Sequence, residues 1–536
     1  MTQPLSSAAA AGPNIIEDLA QQTALRFIRS VTVIDDEAYM KQPSIESAAS
    51  ESTNSLDVGL LTKKFVEKGI SCSVLIPFKG FDGAQLLEQY VKMLKTSDAA
   101  ILDWELSPWI AGDKPKLCKE IIKKIINDEK GCRPRLIIIY TIETIDTSLL
   151  NTLIGYLKTE NGLQQELSSQ IVKLEDDFGF FLNRFKVVFL QKADKEVDIP
   201  PDSMCLPENL PDKLITHFSE LATGLLSTAA FNAVSAIREK IDSLLTIFHK
   251  DLDPAFVHHL LLNDDTTSGV QFLADLFKDE IQTIVADDEI FSKCTDKNLL
   301  CRWFENLDPP PFFKDILPSD MFHKLLEVGL DKHIEKEKPS ASFADGLICS
   351  TDDSLRNFSR IVALKQEAFC PERTCQNAPT LTYGSLIKLD EHEEYYLSII
   401  PKCDSVRLTE STHIPFLKLT CSDDSLKHHI CFLSDANCRC KMASFQFSNA
   451  WDKITHLKFT PDKEFKRIIA KRDKTNSTLF YFNTTNKKPK NSDRYIWIAD
   501  VKDNTMQDVL QRIFQNMTRT GFDDFEWLRR SKAPMR

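Results

Sequence analysis

The sequence lacks the features of a membrane protein, a secreted protein and several common enzyme classes. Its first residues, MTQPLSSAAAAGPN, contain neither a basic segment nor an apolar core of signal-peptide length. No apolar run is long enough to cross a bilayer. The sequence contains no P-loop, GGDEF-like or nuclease-like motif, and no helix-turn-helix pattern is evident in its second half. We therefore expect a cytoplasmic protein with no membrane association.

Closely spaced cysteine pairs of the CxxC type are also missing. The 14 cysteines are scattered, and the closest spacings are Cys370 with Cys375 and Cys438 with Cys440. Reduced cysteines usually act as small core residues, although thiolates with nearby histidines can bind zinc. The sequence leaves open whether the C-terminal cysteines bind zinc.

Length and charge describe an acidic, multidomain chain. A chain of 536 residues is long enough for roughly three domains. The net charge is −12, but residues 441–536 carry 20 Lys or Arg against 11 Asp or Glu, so the remainder carries −21. The basic end could contact nucleic acid or the acidic part of the same chain. The acidic bulk argues against a protein built chiefly to hold DNA.

Strands and helices alternate in the first 200 residues. Residues 1–13 have a disordered composition, and a Ser-rich segment at 42–57 has no pattern and is predicted to be a loop insertion. Apolar strand patterns recur at 31–34, 71–78, 98–106, 133–141 and 185–192, with amphipathic helical patterns between them. The alternation predicts a doubly wound parallel sheet covered on both faces.

Polar side chains follow the ends of these predicted strands. Asp35 and Asp36 follow the first strand, Asp103 ends the third, Thr141 ends the fourth and Lys192 ends the fifth. Because function gathers at the C-terminal ends of parallel strands, we expect these side chains to lie together.

This set of side chains is suited to phosphoryl chemistry. Asp35, Asp36 and Asp103 together can hold Mg²⁺, a hard ion that bridges carboxylate and phosphoryl oxygens. Asp103 is then the candidate nucleophile that forms an aspartyl phosphate. Lys192 can neutralise phosphoryl charge, and the Thr141 hydroxyl can bind a phosphoryl oxygen. Phe189, three residues before the lysine, is placed to change rotamer when that hydroxyl moves.

Residues 28–200 resemble the response-regulator receiver domain of two-component signalling, which has a flavodoxin-like fold. The matching segments are VTVIDDEAY, DAAILDWELSPWIAGD, LIIIYTIE and VVFLQKAD. The resemblance implies that Asp103 is the phosphoacceptor and that Asp35 and Asp36 bind the metal. It further implies that Thr141 is the switch hydroxyl, Lys192 the phosphoryl-binding lysine and Phe189 the aromatic switch.

The sequence departs from the usual receiver pattern in two ways. Ala193 stands where family members usually have a proline, and the intervals between the functional positions are long. The segment QIVKLEDDFGFFLNRF is absent from a minimal receiver. This enlarged form is similar to receivers of bacterial phosphosignalling and anti-phage defence loci. That resemblance implies a histidine-kinase-like ATPase as the partner.

The rest of the chain is predicted to contain a helical and a β region. Residues 201–211 read as a proline-rich linker, and residues 212–350 as a helical relay or dimerisation region through which the chain could form a homodimer. Residues 376–536 show strand patterns followed by a helix, which predicts a small β-barrel or sandwich with a terminal helix. The predicted fold class is therefore multidomain: α/β, then α, then β.

Two functions are compatible with this organisation. The first is a phosphorylation-controlled signalling protein, with no enzyme activity beyond its own phosphorylation and dephosphorylation. The second is a nucleic-acid-binding effector that acts through the basic segments 487–490 and 526–532, with the receiver as a regulatory or structural platform. In the second case Phe480, Phe482, Tyr495 and Trp497, together with Tyr481, could stack on bases or could instead form the β core.

Overall fold

The protein is described by a computed structural model in which the following residues are placed: 15–39, 56–76, 83–106, 114–129, 133–159, 162–163, 165–174, 178–193, 203–262, 266–306, 323, 326–327, 367–369, 378–421, 429–433, 442–447, 453–475, 479–485 and 493–517. The chain divides into two compact units, residues 1–308 and 309–536. Each unit contains its own β-sheet. Among the described residues, no helix is long and apolar enough to cross a membrane.

The first unit alternates strands and helices and then becomes helical. Its strands are β1 (Ser30–Ile34), β2 (Ser71–Leu75), β3 (Ala99–Leu102), β4 (Arg135–Thr141), β5 (Ile171–Lys173), β6 (Gly179–Leu182), β7 (Phe185–Lys192) and β8 (Met204–Cys205). Its helices are α1 (Ile15–Phe27), α2 (Val58–Glu67), α3 (Gly83–Thr96), α4 (Lys116–Glu129), α5 (Thr147–Leu157), α6 (Gln165–Ser168), α7 (Leu210–Ala222), α8 (Leu225–Glu239), α9 (Ile241–Ile247), α10 (Asp253–Leu262), α11 (Thr266–Ala286), α12 (Glu289–Lys293) and α13 (Lys297–Asn306).

The sheet of the first unit is parallel at its centre and mixed at one edge. Its strand order is β2-β1-β3-β4-β7-β6-β5, and β8 also pairs with β7. The pairings β2–β1–β3–β4–β7 are all parallel, whereas β6 runs antiparallel to β7 and β5 antiparallel to β6. The five parallel strands have the flavodoxin-like order of a doubly wound fold.

Side chains from the strands alternate between two cores, one on each face of the sheet. Ile34, Leu102, Ile139 and Phe189 belong to the core beneath α3, α4 and α5. Neighbouring strand residues such as Tyr140 point into the opposite core, which α1, α2 and α7 cover. Both faces of the central strands β3, β4 and β7 are buried because these strands are mainly apolar, as the sequence predicts for a parallel sheet.

Residues 170–185, the segment that a minimal receiver lacks, contribute β5 and β6 to the mixed edge. β5 and β6 make a hairpin whose inner strand pairs with the first half of β7. β8 pairs in parallel with the end of β7, in the register Gln191 with Met204 and Lys192 with Cys205. The sequence analysis assigned 201–211 to a linker, and the structure differs, since this stretch holds β8, a 3-10 turn at Pro207–Asn209 and the start of α7.

The helices that follow the sheet pack against the N-terminal helix α1. Phe27 of α1, Phe218 of α7 and Phe231 of α8 form an aromatic cluster with ring centroids 4.7 to 5.6 Å apart. Arg238 of α8 lies over the Phe27 ring and donates to the Asp98 carboxylate at 3.0 Å. These contacts fix α7 and α8 to the receiver-like sheet near the N-terminal ends of its parallel strands.

Arg26 of α1 makes a second set of charged contacts with the helical region. It donates to Asp288 at 2.7 Å and to Glu239 at 2.7 Å. Asp288 is 8% exposed, so the pair excludes most of the surrounding water. The hydrogen bond from Arg26 lowers the pKa of Asp288, which therefore stays ionised.

The second unit is an antiparallel sheet with one long terminal helix. Its strands are β9 (Glu367–Phe369), β10 (Ser385–Leu389), β11 (Tyr395–Ser398), β12 (Thr412–Cys421), β13 (His429–Leu433), β14 (Met442–Phe447), β15 (Ile454–Phe459), β16 (Lys471–Arg472), β17 (Phe480–Asn483) and β18 (Arg494–Val501). Its helices are α14 (Lys402–Ser405) and α15 (Asp503–Met517). The strand order is β13-β14-β12-β11-β10-β18-β17-β16, with β15 on β12 and β9 on β18.

The central strands of this sheet are buried on both faces. Leu386 and Leu397 pack with Met506 and Ile513 of α15 on one face, whereas Tyr396 and its neighbours pack into an aromatic core on the other. The terminal helix is as predicted, but a closed β-barrel or sandwich is not confirmed. The described strands instead form one branched antiparallel sheet, because β12 pairs with three different strands.

Candidate functional site: a carboxylate cluster at the sheet edge

The structure brings the predicted site residues to one edge of the sheet. Asp35 directly follows β1, Asp103 follows β3, Thr141 ends β4 and Lys192 ends β7. These four strands are consecutive neighbours in the sheet. Because parallel strands present their C-terminal ends at the same edge, residues separated by up to 157 positions meet there.

Backbone hydrogen bonds hold the two aspartate loops in register with the sheet. The Asp103 N–H donates to the Ile34 carbonyl at 2.8 Å, which extends the β1–β3 ladder to Asp103. Asp35 Oδ1 then accepts from the Glu37 N–H at 2.9 Å, and Asp103 Oδ1 accepts from the Glu105 N–H at 3.2 Å. Each carboxylate is therefore oriented by the turn that follows it.

Lys192 bridges the two remaining carboxylate oxygens. Its Nζ lies 2.6 Å from Asp103 Oδ2 and 3.0 Å from Asp35 Oδ2. All three side chains are at least nine-tenths buried. Burial alone would lower the pKa of Lys192, but the two aspartates outweigh it and raise that pKa. The lysine is therefore a fixed cation at this edge.

One lysine does not balance three carboxylates. Burial is the main reason why the pKa of Asp35 is raised; Asp103 adds to the increase and Lys192 opposes it. Burial also raises the pKa of Asp36 to about 6, with the negative charges of Asp103 and Asp35 adding to it. Crowded, partly desolvated carboxylates of this kind favour the binding of a further cation.

The cluster fits a small divalent cation. Asp35, Asp36 and Asp103 each offer one carboxylate oxygen, and these oxygens lie within 4.8 Å of one another. Oxygen donors of this type suit Mg²⁺, which completes its shell with water. Asp36 is half-buried and Asp103 is 8% exposed, so water can reach the cluster from one side.

The two predicted switch residues lie on the strands next to the cluster. Thr141 is fully buried, and its Oγ1 accepts from the Glu143 N–H at 3.1 Å. Phe189 is also buried, and its ring meets that of Trp104 edge-on, with centroids 5.4 Å apart. Since Trp104 directly follows Asp103 in the chain, this aromatic pair connects the phosphoacceptor candidate with the predicted aromatic switch.

The sequence analysis missed the group of contacts around Tyr140. The Tyr140 hydroxyl donates to the Cys205 carbonyl at 2.8 Å, and the Ala193 N–H donates to the same oxygen at 3.1 Å. Nζ of Lys192 lies 5.6 Å from the centroid of the Tyr140 ring. The sequence shows a Tyr directly before Thr141, which could have drawn attention to this position. Its partner Cys205 could not be found in the same way, because it lies on a two-residue strand that has no periodicity.

The features that favoured a nucleic-acid effector have different outcomes. Phe480, Phe482, Tyr495 and Trp497 are at most 3% exposed and form the aromatic core of the second unit, so their rings are not available for stacking on bases. Tyr481 is partly exposed and is covered by the Arg494 guanidinium, 4.1 Å from its ring centroid. The basic segments 487–490 and 526–532 lie outside the described residues, as do Cys370, Cys375, Cys438 and Cys440.

Comparison with known proteins agrees with this geometry. Residues 27–197 match the family model of the response receiver domain, which supports a response-regulator receiver domain in this part of the chain. The match ends before β8 and α7. Neither the curated proteins nor the solved structures include a significant match to the chain.

Proposed function

We propose that the receiver domain at residues 27–197 makes this chain a phosphorylation-controlled signalling protein, with Asp103 as the phosphoacceptor. The main support is the carboxylate–lysine arrangement, in which Lys192 Nζ lies 2.6 Å from Asp103 and 3.0 Å from Asp35. A receiver needs a nucleophilic carboxylate, a cation for the phosphoryl charge and acidic metal ligands at one place. Residues at the ends of β1, β3 and β7 supply those parts here.

The proposed reaction is a transfer between a phosphohistidine and Asp103. A carboxylate oxygen of Asp103 attacks phosphorus, an O–P bond forms and the donor P–N bond breaks. The imidazole leaves with the electron pair and takes up a proton, so the product is an acyl phosphate. Attack by water later returns the carboxylate and inorganic phosphate. Lys192 stabilises the negative charge on the phosphoryl oxygens in both the transfer and the hydrolysis.

Mg²⁺ is the proposed cofactor, held by Asp35, Asp36 and Asp103. When bound, the ion would supply positive charge that offsets the charge of the phosphoryl group. The pKa of Asp36 is raised to about 6 by burial first and then by the negative charges of Asp103 and Asp35, which a divalent cation would offset. The protein's own groups have separate roles in this proposal. Lys192 pairs with the negative charge of the carboxylates and of the phosphoryl group, and the turns at Glu37 and Glu105 orient the carboxylates.

The proposed response is a change in the strands beside the cluster. Thr141 is expected to turn its hydroxyl toward the phosphoryl group, which removes the hydrogen bond from Glu143. Phe189 is expected to respond through its contact with Trp104. Two-state elements of this kind convert a local charge into a change of packing.

The proposed phosphoryl donor is a histidine-kinase-like ATPase protein, as the resemblance implies. A role in bacterial stress or anti-phage defence signalling stays a prediction of the same kind. The output is proposed to be protein contact through the helical and β regions. For the alternative, a nucleic-acid effector, the burial of the four aromatic side chains removes one line of support.

A homodimer through the helical region is supported by exposed apolar side chains. Eleven large apolar residues between 226 and 277 are exposed among the described residues: Leu226, Val234, Ile241, Leu245, Ile247, Leu252, Val257, Leu261, Leu273, Leu276 and Phe277. A second copy of the chain could cover such side chains. We expect the double change Leu245→Asp and Leu261→Asp to lower the sedimentation coefficient. Val172→Asp, which alters an equally exposed residue of the receiver, should leave it unchanged.

Beryllofluoride with Mg²⁺ tests the phosphoacceptor, because it imitates a phosphoryl group on a carboxylate. The full-length protein should bind it, with a change in tryptophan fluorescence since Trp104 follows Asp103. Asp103→Asn should reduce binding by at least about a hundredfold, as the anchoring oxygen is lost. The control is Asp128→Asn, which removes the same charge from the far end of α4. Equal binding by Asp103→Asn and wild type would exclude Asp103 as the acceptor.

A further inference from the structure

The carbonyl of Cys205 receives two hydrogen bonds from the neighbourhood of the phosphorylation site. The Tyr140 hydroxyl donates at 2.8 Å and the Ala193 N–H at 3.1 Å. Tyr140 and Cys205 are each 2% exposed, so water does not compete for that oxygen. A buried hydrogen bond that cannot be replaced by water is costly to leave unmade. The Ala193 N–H therefore holds β8 to the end of β7, and the Tyr140 hydroxyl holds it to β4.

The hydrogen bond from the Ala193 N–H explains why alanine, and not the usual proline, stands at this position. Proline is usual at this position, and a proline has no N–H to donate. In this chain the Ala193 N–H is used for pairing with β8, a strand that lies beyond the segment matched by the receiver family. The substitution of the usual proline and the presence of β8 are thus two parts of one structural feature.

Lys192 connects this feature to the cluster. It lies between Gln191 and Ala193, whose N–H groups donate to Ser203 and Cys205 respectively. Its Nζ contacts the aspartates and also lies 5.6 Å from the centre of the Tyr140 ring. A phosphoryl group on Asp103 would draw the lysine toward new oxygens, and both its backbone and its contact with Tyr140 lead to Cys205.

From Cys205 the chain continues directly into the helical region. A 3-10 turn at Pro207–Asn209 follows, and α7 begins at Leu210. Phe218 of α7 contacts Phe27 and Phe231, each with ring centroids 5.6 Å apart. β8 is therefore connected, through α7, to the aromatic cluster that α8 contacts.

We propose that Tyr140 and the Ala193 N–H, acting through the Cys205 carbonyl, couple the state of the phosphorylation site to α7 and the helices that follow. Tyr140 is a positioning residue in this scheme and does not take part in the chemistry. The inference rests on the proposed function, because it needs an occupied site to start the change. It adds the route by which occupancy reaches the helical region.

Hydrogen exchange of the full chain, with and without saturating beryllofluoride and Mg²⁺, measures this coupling. The ligand engages Lys192, orders the end of β7 and should slow the amides of residues 203–222. We expect the exchange there to slow at least about fivefold, which is the factor that one buried hydrogen bond is worth. The ratio between the two states is the readout, since a merely structural residue would change both states equally.

Two variants break the coupling in different ways. Tyr140→Phe keeps the ring and removes the donor, and Ala193→Pro removes the backbone donor at the end of β7. In both we expect the ligand-dependent ratio at 203–222 to fall below about twofold, with beryllofluoride affinity within about threefold of wild type. The controls are Tyr90→Phe, whose hydroxyl is buried without a hydrogen-bond partner in the described part of the chain, and Ala193→Ser, which keeps the N–H.

The outcomes separate the coupling from the proposed function. Full ligand-dependent slowing in Tyr140→Phe would overturn the coupling and leave Asp103 as the acceptor. Binding to wild type with no change at 203–222 would do the same. Absence of beryllofluoride binding to wild type would overturn the proposed function, and the coupling with it. Loss of the ratio in Tyr140→Phe but not in Tyr90→Phe would support the proposal.

Discussion

Neutralising Asp36 should stabilise the metal-free protein, although Asp36 is proposed to be a metal ligand. The pKa of Asp36 is raised from 3.8 to about 6, mainly by burial and then by Asp103 and Asp35. At full weight such a shift is ~3 kcal/mol. Since the side chain is only half-buried, solvent screening reduces the figure to roughly half, ~1.5 kcal/mol. For Asp36→Asn we expect the melting temperature at pH 7.5 in EDTA to rise by about 3–6 °C.

The sign of the effect with pH follows from the direction of the shift. The folded protein holds its Asp36 proton up to about pH 6, whereas the unfolded chain loses it near 3.8. The stability from this group is therefore fully present below pH ~4 and is lost as the pH rises through about 6. Asn behaves like the protonated acid at every pH. The advantage of Asp36→Asn should accordingly vanish near pH 4 and be complete above pH ~7.

Mg²⁺ should reverse the order of stability of the wild type and Asp36→Asn. Binding stabilises the folded state by ~2.7 kcal/mol when the ion is at a hundred times its dissociation constant. Asp36→Asn loses one ligand and should bind far more weakly, so it gains less from the same concentration. At pH 7.5 the variant should thus be the more stable protein in EDTA and the less stable one in saturating Mg²⁺.

Calorimetry of the full chain measures both orders, with the receiver transition identified as the one that Mg²⁺ shifts. Asp128→Asn is the control, since it changes the net charge equally and affects only an exposed ion pair with Lys95. The reasoning is refuted if Asp36→Asn is no more stable than wild type in EDTA at pH 7.5. An unchanged Mg²⁺ response in the variant would remove Asp36 from the metal site.

Two further outcomes are expected from the charged contacts. Lys192→Met should lower the unfolding free energy of the metal-free protein by about 3 kcal/mol, because two buried carboxylates lose their cation. Calorimetry should show that Mg²⁺ restores part of this loss. Full stability of the variant in EDTA would contradict the role of Lys192 as the cation of the cluster. Arg26→Ala should speed proteolysis within residues 240–306 about tenfold, since it releases two carboxylates that hold the helices to α1. Lys240→Ala, which breaks only an exposed ion pair, should have no such effect.

The order of elements and the location of the site could be predicted from local sequence. The apolar run 136–140 was predicted to be a strand buried on both faces, because it alternates with helical segments in the way typical of a parallel sheet. In a doubly wound sheet the strand ends converge by topology. Asp35, Asp103, Thr141 and Lys192 could therefore be assigned to one edge before any distance was known.

Tertiary structure decided what pairs with the end of β7. Residues 201–211 read as a proline-rich linker, yet β8 is formed there by pairing with residues more than ten positions away. Two residues are too few to show an alternating pattern. β8 forms because the backbone groups at the end of β7 and the Tyr140 hydroxyl make hydrogen bonds with it. The sequence showed that Ala193 replaced a proline, and only the fold showed which hydrogen bond needed the change.

Tertiary structure also decided which side chains became core and which became contacts. The aromatic residues of the second unit could have been a stacking surface or a core, because alternation alone does not tell which face of a strand is covered. Burial of Trp497 and its neighbours followed from the way the sheet packs on itself, on the face that α15 does not cover. Likewise Arg26 reads in sequence as an ordinary helix-end arginine. Its partners Glu239 and Asp288 lie more than 200 residues away, so their charges meet only after the helices have folded onto α1.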